Sequence, residues 1–114
     1  NFPIIFRISA DEFVRGGRTV EDTKAIAMIL EEAGINAIHV SAGVYGTAYA
    51  IVPPSAIPHG WIVNFAEEVK KVVSIPVITV GRINDPLVAE GIIASGKADL
   101  VACGRASLAD PALQ

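Results

Sequence analysis

Apolar residues along this chain fall into two alternating kinds of run. Phe2 to Ser9 (FPIIFRIS) is continuous, β-rich and apolar, with one charge, Arg7, near its end. Parallel strands buried on both faces read this way, without strict alternation. Ala10 to Arg18 is polar and contains Gly16-Gly17, which predicts a loop. Thr19, with Asp22 three positions on, gives a capping-box-like start to a helix reaching about Ala33, with Ile26, Ile29, Leu30 and Ala33 on one stripe. Gly34 stands where a left-handed residue closes a helix. Asn36 to Ala42 is a second strand and Trp61 to Val73 a second helix, with Glu67, Glu68, Lys70 and Lys71 on its wet side. Pro76 to Val80 is a third strand, and Asp85-Pro86 opens a third helix that Gly96 ends. Ala98 to Cys103 is a fourth strand, and Asp110-Pro111 marks a further turn or helix start.

Four consecutive β-loop-α units, the last one truncated, predict an α/β fold with a parallel sheet and right-handed crossovers. A TIM (β/α)8 barrel takes eight units and about 250 residues. The 114 residues therefore predict one partial domain, residues 1–114, as half a barrel. A small open doubly wound sheet is the alternative, but no glycine-rich dinucleotide loop follows the first strand. With no initiating methionine and a strand at its start, the chain is expected to be a piece of something longer.

Composition narrows the partners. Hydrophobic residues make up 52 % and charged residues 18 %, enough to bury a core. The formal charge of -3 and the scattered arginines leave no basic stripe for nucleic acid. Ala33 to Ala66 carries no charge, yet Pro53, Pro54 and Pro58 with Gly43, Gly46 and Gly60 break it into pieces too short to span a membrane. One cysteine, Cys103, excludes an internal disulfide and fits a reducing, cytoplasmic setting, and the dispersed His and Cys residues predict no metal site.

Val77 to Ala106 carries the chemistry. Gly81-Arg82 and Gly104-Arg105 each stand where an apolar strand ends, and parallel neighbours bring such ends together. Glycine lets a backbone N–H approach a phosphate, and arginine adds a charge-assisted fork. Either pair alone reads more simply as a turn glycine and an arginine paired with a carboxylate; two at adjacent strand ends keep both readings open. Arg7 is expected to be buried with a partner, either in an ion pair or against an electron-rich ligand edge. His39 fits a hydrogen-bonded core histidine better than a catalyst. Tyr45, Tyr49, His59 and Trp61 belong to the uncharged loop and its exit. They either pack it on the barrel rim or present Tyr45 or Tyr49 to a substrate. Cys103 reads as a small buried residue, and Glu31-Glu32 as a solvent face.

Together FRIS, AIHVSAG, IPVITVGRINDP and AEGIIASGKADLVACGRASLADP resemble the C-terminal half of the barrel in the Old Yellow Enzyme family. The resemblance is to its NADH:flavin oxidoreductase, 2-enoate reductase and 2,4-dienoyl-CoA reductase branch, and it covers essentially the whole chain. It implies an FMN-binding barrel that takes hydride from NADH or NADPH and passes it to an activated alkene of a small unsaturated carbonyl compound. Arg7 matches the arginine against the flavin's pyrimidine edge; Gly81 with Arg82, and Gly104 with Arg105, match the two phosphate-binding turns. The family's paired donors to the substrate carbonyl and its tyrosine acid lie in the other half, so the isolated piece is expected to be inactive. Tyr45 or a neighbour is the nearest counterpart of a catalytic histidine found in some relatives, and no role carries over to it from the resemblance. Two other readings stand beside this one: a phosphate-binding lyase or isomerase barrel without flavin, and a non-catalytic half-barrel that self-associates. In each, the rest of the barrel or a second copy is expected to cover the open sheet edges.

Overall fold

The computed structural model describes residues 1–113. Its centre is one four-stranded parallel sheet in which sequence order and spatial order coincide. The strands are β1 (Ile5–Ser9), β2 (Ala37–Ser41), β3 (Val77–Thr79) and β4 (Leu100–Val101). Helices α1 (Val20–Glu32), α3 (Val63–Lys70) and α4 (Pro86–Ala94) form the crossovers. Two short helices lie near strand ends: α2 (Ala48–Ile51), after a 3-10 turn at Tyr45–Thr47, and α5 (Arg105–Ala109). This is the arrangement of half a (β/α)8 barrel.

Local chemistry explains the boundaries. Asp22 accepts from the Thr19 backbone N–H at 2.9 Å, which caps α1 and holds the Asp22 carboxyl below its usual range. Gly34 closes the helix at φ +97°, as its position suggests. Asp85 accepts from Leu87 N–H at 2.8 Å with Pro86 opening α4.

Burial alternates along the strands. Ile38, Val40, Val77 and Thr79 are buried against the helices, where Ala27, Val63, Ala66, Val69 and Ile92 complete the core. The register sets Arg7, His39, Ile78 and Leu100 side by side on the opposite, concave face. There Arg7 and Leu100 are exposed while His39 and Ile78 are half-buried. The strands are continuously apolar, which predicted burial on both faces, but the sheet leaves its concave face open.

Two expectations change. The α1 stripe is displaced: Thr23 and Ala27 are buried, Ile26 and Leu30 are half-buried, and Ile29 and Ala33 face outward. Thr23 wins its place because its hydroxyl donates to the Ala10 carbonyl at 2.9 Å, which lets a small polar residue dock the helix. The second helix is shorter than Trp61 to Val73, because Gly60, at φ +64°, and a turn precede it. The uncharged loop, Val44 to Gly60, carries two short helical turns. Thr47 ties its first turn down, accepting from Val44 N–H at 2.9 Å and lying 2.9 Å from the Glu12 carbonyl.

Candidate functional site

At the C-terminal ends of β3 and β4 the sheet opens into a cleft of about 240 Å³. Its walls include Arg7, Gly81, Arg82, Gly104 and Arg105, all the residues the sequence pointed to for a cofactor, with Ile51, Pro53 and Cys103 among the others. An adjoining cleft of about 230 Å³ shares Arg82, Arg105 and Ala106 and adds Asn84. The cleft thus gathers three guanidinium groups, and among the described residues no carboxylate lines it.

The two Gly-Arg turns reach the cleft differently. Gly81 sits at φ +119°, and a Cβ there would lie 2.8 Å from Ile62 Cγ1. Its carbonyl accepts from Gly60 N–H at 3.1 Å, so the turn is locked to the start of α3. Arg82 follows at φ +50°, a conformation that costs a side-chain-bearing residue about 1–3 kcal/mol. Gly104 caps α5 at a negative φ with open space where a Cβ would stand.

Neither arginine pairs with a carboxylate. Arg82 Nη1 donates to the Pro54 carbonyl at 3.4 Å and Arg105 Nη2 to the Pro53 carbonyl at 3.5 Å, both long contacts. Arg82 Nε is buried without a hydrogen-bond partner. The ion pairs among the described residues involve Arg18 and the four lysine-carboxylate contacts, never Arg7, Arg82 or Arg105. The reading in which each arginine simply neutralises a carboxylate is therefore not the one the fold adopts. An orphaned buried donor, two forks with spare N–H groups and a glycine edge fit a phosphate monoester.

Arg7 departs from expectation. It is exposed, not buried in an ion pair, because the concave face is open. His39 beside it in register also differs: its Nε2 is buried but unpartnered rather than hydrogen-bonded. Burial first, then the Arg7 charge, lowers the His39 pKa and favours the neutral ring.

Tyr45 is 99 % exposed on the 3-10 turn and does not line the cleft. Tyr49 and Trp61 do pack the rim: Phe13 stands 6.4 Å from Tyr49, 5.9 Å from Trp61 and 5.9 Å from Phe65, ring centre to ring centre. His59 is exposed. Cys103 is half-buried, its Sγ 3.3 Å from the Ile83 carbonyl. Sequence reasoning missed Pro53, Pro54 and Ile51, whose only signal was the uncharged, proline-bearing loop. Among the described residues no group of three or more His, Cys, Asp or Glu could hold a metal, and no helix is long and apolar enough to cross a membrane.

The fold is that of half a β/α barrel, with a cationic, glycine-edged cleft at the C-terminal ends of its parallel strands. The NADH:flavin oxidoreductase / NADH oxidase family model matches residues 1–114, and the chain belongs to that family. The family's flavin is FMN and its named reductant NADH, and a relative in Geobacillus is an NADPH dehydrogenase. The chain is 58 % identical over 111 residues to the NADH oxidase of Thermoanaerobacter brockii, covering 97 % of this chain and 17 % of that protein. It is 39 % identical over 100 residues to the cinnamate reductase of Clostridium sporogenes, covering 88 % of this chain and 15 % of that one. Among solved structures, a 2-naphthoyl-CoA reductase complex superposes with a TM-score of 0.84 at 29 % identity, over 98 % of this chain and 17 % of its own. The chain thus spans about a sixth of the length of these last three proteins.

Proposed function

We propose that this chain is the flavin-anchoring portion of an FMN-dependent NAD(P)H oxidoreductase of ene-reductase type. The observation that carries the reading is the convergence of Arg7, Arg82 and Arg105 on one cleft that, among the described residues, no carboxylate lines. Arg82 and Arg105 hold the phosphate, with Gly81 setting the turn and Gly104 leaving room for close backbone approach. Arg7 faces the electron-rich edge of the ring system, where a fixed cation stabilises negative charge as it develops. FMN, when bound, supplies the hydride carrier between NAD(P)H and an activated C=C bond. Similarity to a cinnamate reductase and a 2-naphthoyl-CoA reductase favours an unsaturated acyl substrate.

The same reading makes the isolated chain inactive. Its concave face exposes Ile5 and Leu100, and its edges expose Phe2 and Ile4. Further strands of the parent barrel cover these surfaces and bring the groups that touch substrate. An unpaired Cys103 suits a cytoplasmic protein.

The test is the flavin's visible absorbance after gel filtration of the full-length protein. The wild type stays yellow, and Arg82→Ala, having lost charge-assisted bonds to the phosphate, binds FMN roughly 10- to 100-fold more weakly and elutes depleted of colour. A colourless wild type that still binds sugar phosphates would move the assignment to a flavin-free lyase or isomerase barrel.

A further inference from the structure

Two of the cleft's arginines, Arg82 and Arg105, each make a long contact to a loop carbonyl. The Pro53 carbonyl takes Arg105 Nη2 and the Pro54 carbonyl takes Arg82 Nη1, so two consecutive residues of one loop touch both phosphate-binding turns. Proline has a carbonyl and no N–H. Two in a row therefore present the guanidinium groups with acceptors and no competing backbone donor. Being neutral, these dipoles orient the forks while leaving their positive charge unspent, whereas a carboxylate in the same place would cancel it and compete with an incoming phosphate. Pro53 is buried in the cleft wall beside Ile51, which fixes where its carbonyl points. The loop is anchored in turn: Thr47 bridges it to the Glu12 carbonyl, and the Phe13 ring packs on Tyr49.

We propose that Pro53 and Pro54 are positioning residues for phosphate recognition, aiming Arg105 and Arg82 through their carbonyl groups. The proposal rests on the flavin-anchoring reading above. The residues touch the arginines rather than the ligand, so their effect belongs to the phosphate and not to the ring.

The discriminating measurement is a titration of the flavin-stripped full-length protein with FMN and, separately, with riboflavin, which lacks the phosphate. The wild type prefers FMN. Pro53→Ala/Pro54→Ala restores two N–H groups and frees the loop. It weakens FMN binding about tenfold, the loss of well-aimed charge-assisted bonds, and leaves riboflavin binding within about twofold. Pro54→Ala alone changes an exposed residue and keeps the buried Pro53; it shows the same selective loss, about threefold, even if the double variant folds poorly. Equal weakening for both ligands, or no weakening for either, leaves the preference for FMN unchanged and would overturn the proposal. A wild type that does not distinguish FMN from riboflavin would instead contradict the phosphate assignment itself.

Discussion

The two Gly-Arg turns look alike in sequence and are built on opposite principles. Gly81-Arg82 is held from behind: both residues take positive φ, Ile62 occupies the space of a missing Cβ, and Arg82 Nε is buried. Gly104-Arg105 is open: its glycine has a negative φ, no atom crowds it, and the arginine is exposed at the start of α5. One turn is fixed by packing, and the other is a free edge a ligand can approach. On the proposed reading, one rigid jaw and one accessible jaw would place an anion without enclosing it.

Alanine at the two glycines breaks the comparison most sharply. Gly81→Ala meets both the Ile62 contact and an unfavourable φ, and lowers stability by about 3 kcal/mol in urea denaturation of the full-length protein. Gly104→Ala meets neither and stays within about 0.5 kcal/mol of wild type. Equal costs would mean that the turns are supported alike.

A smaller contrast lies in the arginines. Arg82 sits in the left-handed region, where glycine relaxes without strain, so Arg82→Gly is more stable than Arg82→Ala by about 0.5–1 kcal/mol. At Arg105, inside α5, the order reverses by roughly the same amount, because alanine favours the helix. Thermal unfolding of the four variants reads both signs at once.

The smallest effect sharpens a different contrast, between His39 and the carboxylates of the convex side. The His39 pKa is lowered, by burial first and then by Arg7, from an ordinary value of 6.5. As pH falls below that value the unfolded chain takes up a proton that the folded chain still refuses, so stability declines until the folded value is passed. Asp22, Glu31, Glu68 and Asp99 have lowered values too, each because hydrogen bonds favour the charged form. Their contribution is present above the unfolded carboxylate range and is lost only as pH falls below it. Denaturation at about pH 7.5 and about pH 5.5 should therefore show a decline that His39→Gln removes; an unchanged slope in that variant would assign the decline elsewhere.

Strand order, crossovers and the composition of the cleft were legible because each depends on periodicity or on a residue type confined to a strand end. Arg7, Gly81, Arg82, Gly104 and Arg105 fall together for that reason alone. The burial of Arg7 was misjudged because an apolar strand implies two covered faces, while this sheet leaves its concave face open. The α1 stripe was misjudged because Thr23 docks by a hydrogen bond that hydropathy cannot register. Pro53 and Pro54 were invisible beside the cleft arginines, since they meet them through backbone carbonyls that every residue possesses. Tyr45 was singled out by chemistry, and the 3-10 turn directs it into solvent.

The central claim is that this cleft grips the phosphate of FMN, and a crystal structure of the full-length protein reconstituted with FMN tests it most directly. The account predicts phosphate oxygens within about 3.2 Å of Arg82, Arg105 and the backbone N–H groups around Gly104. It also predicts the ring system extending toward Arg7. A phosphate bound elsewhere, with Arg82 and Arg105 still resting on Pro54 and Pro53, would contradict it.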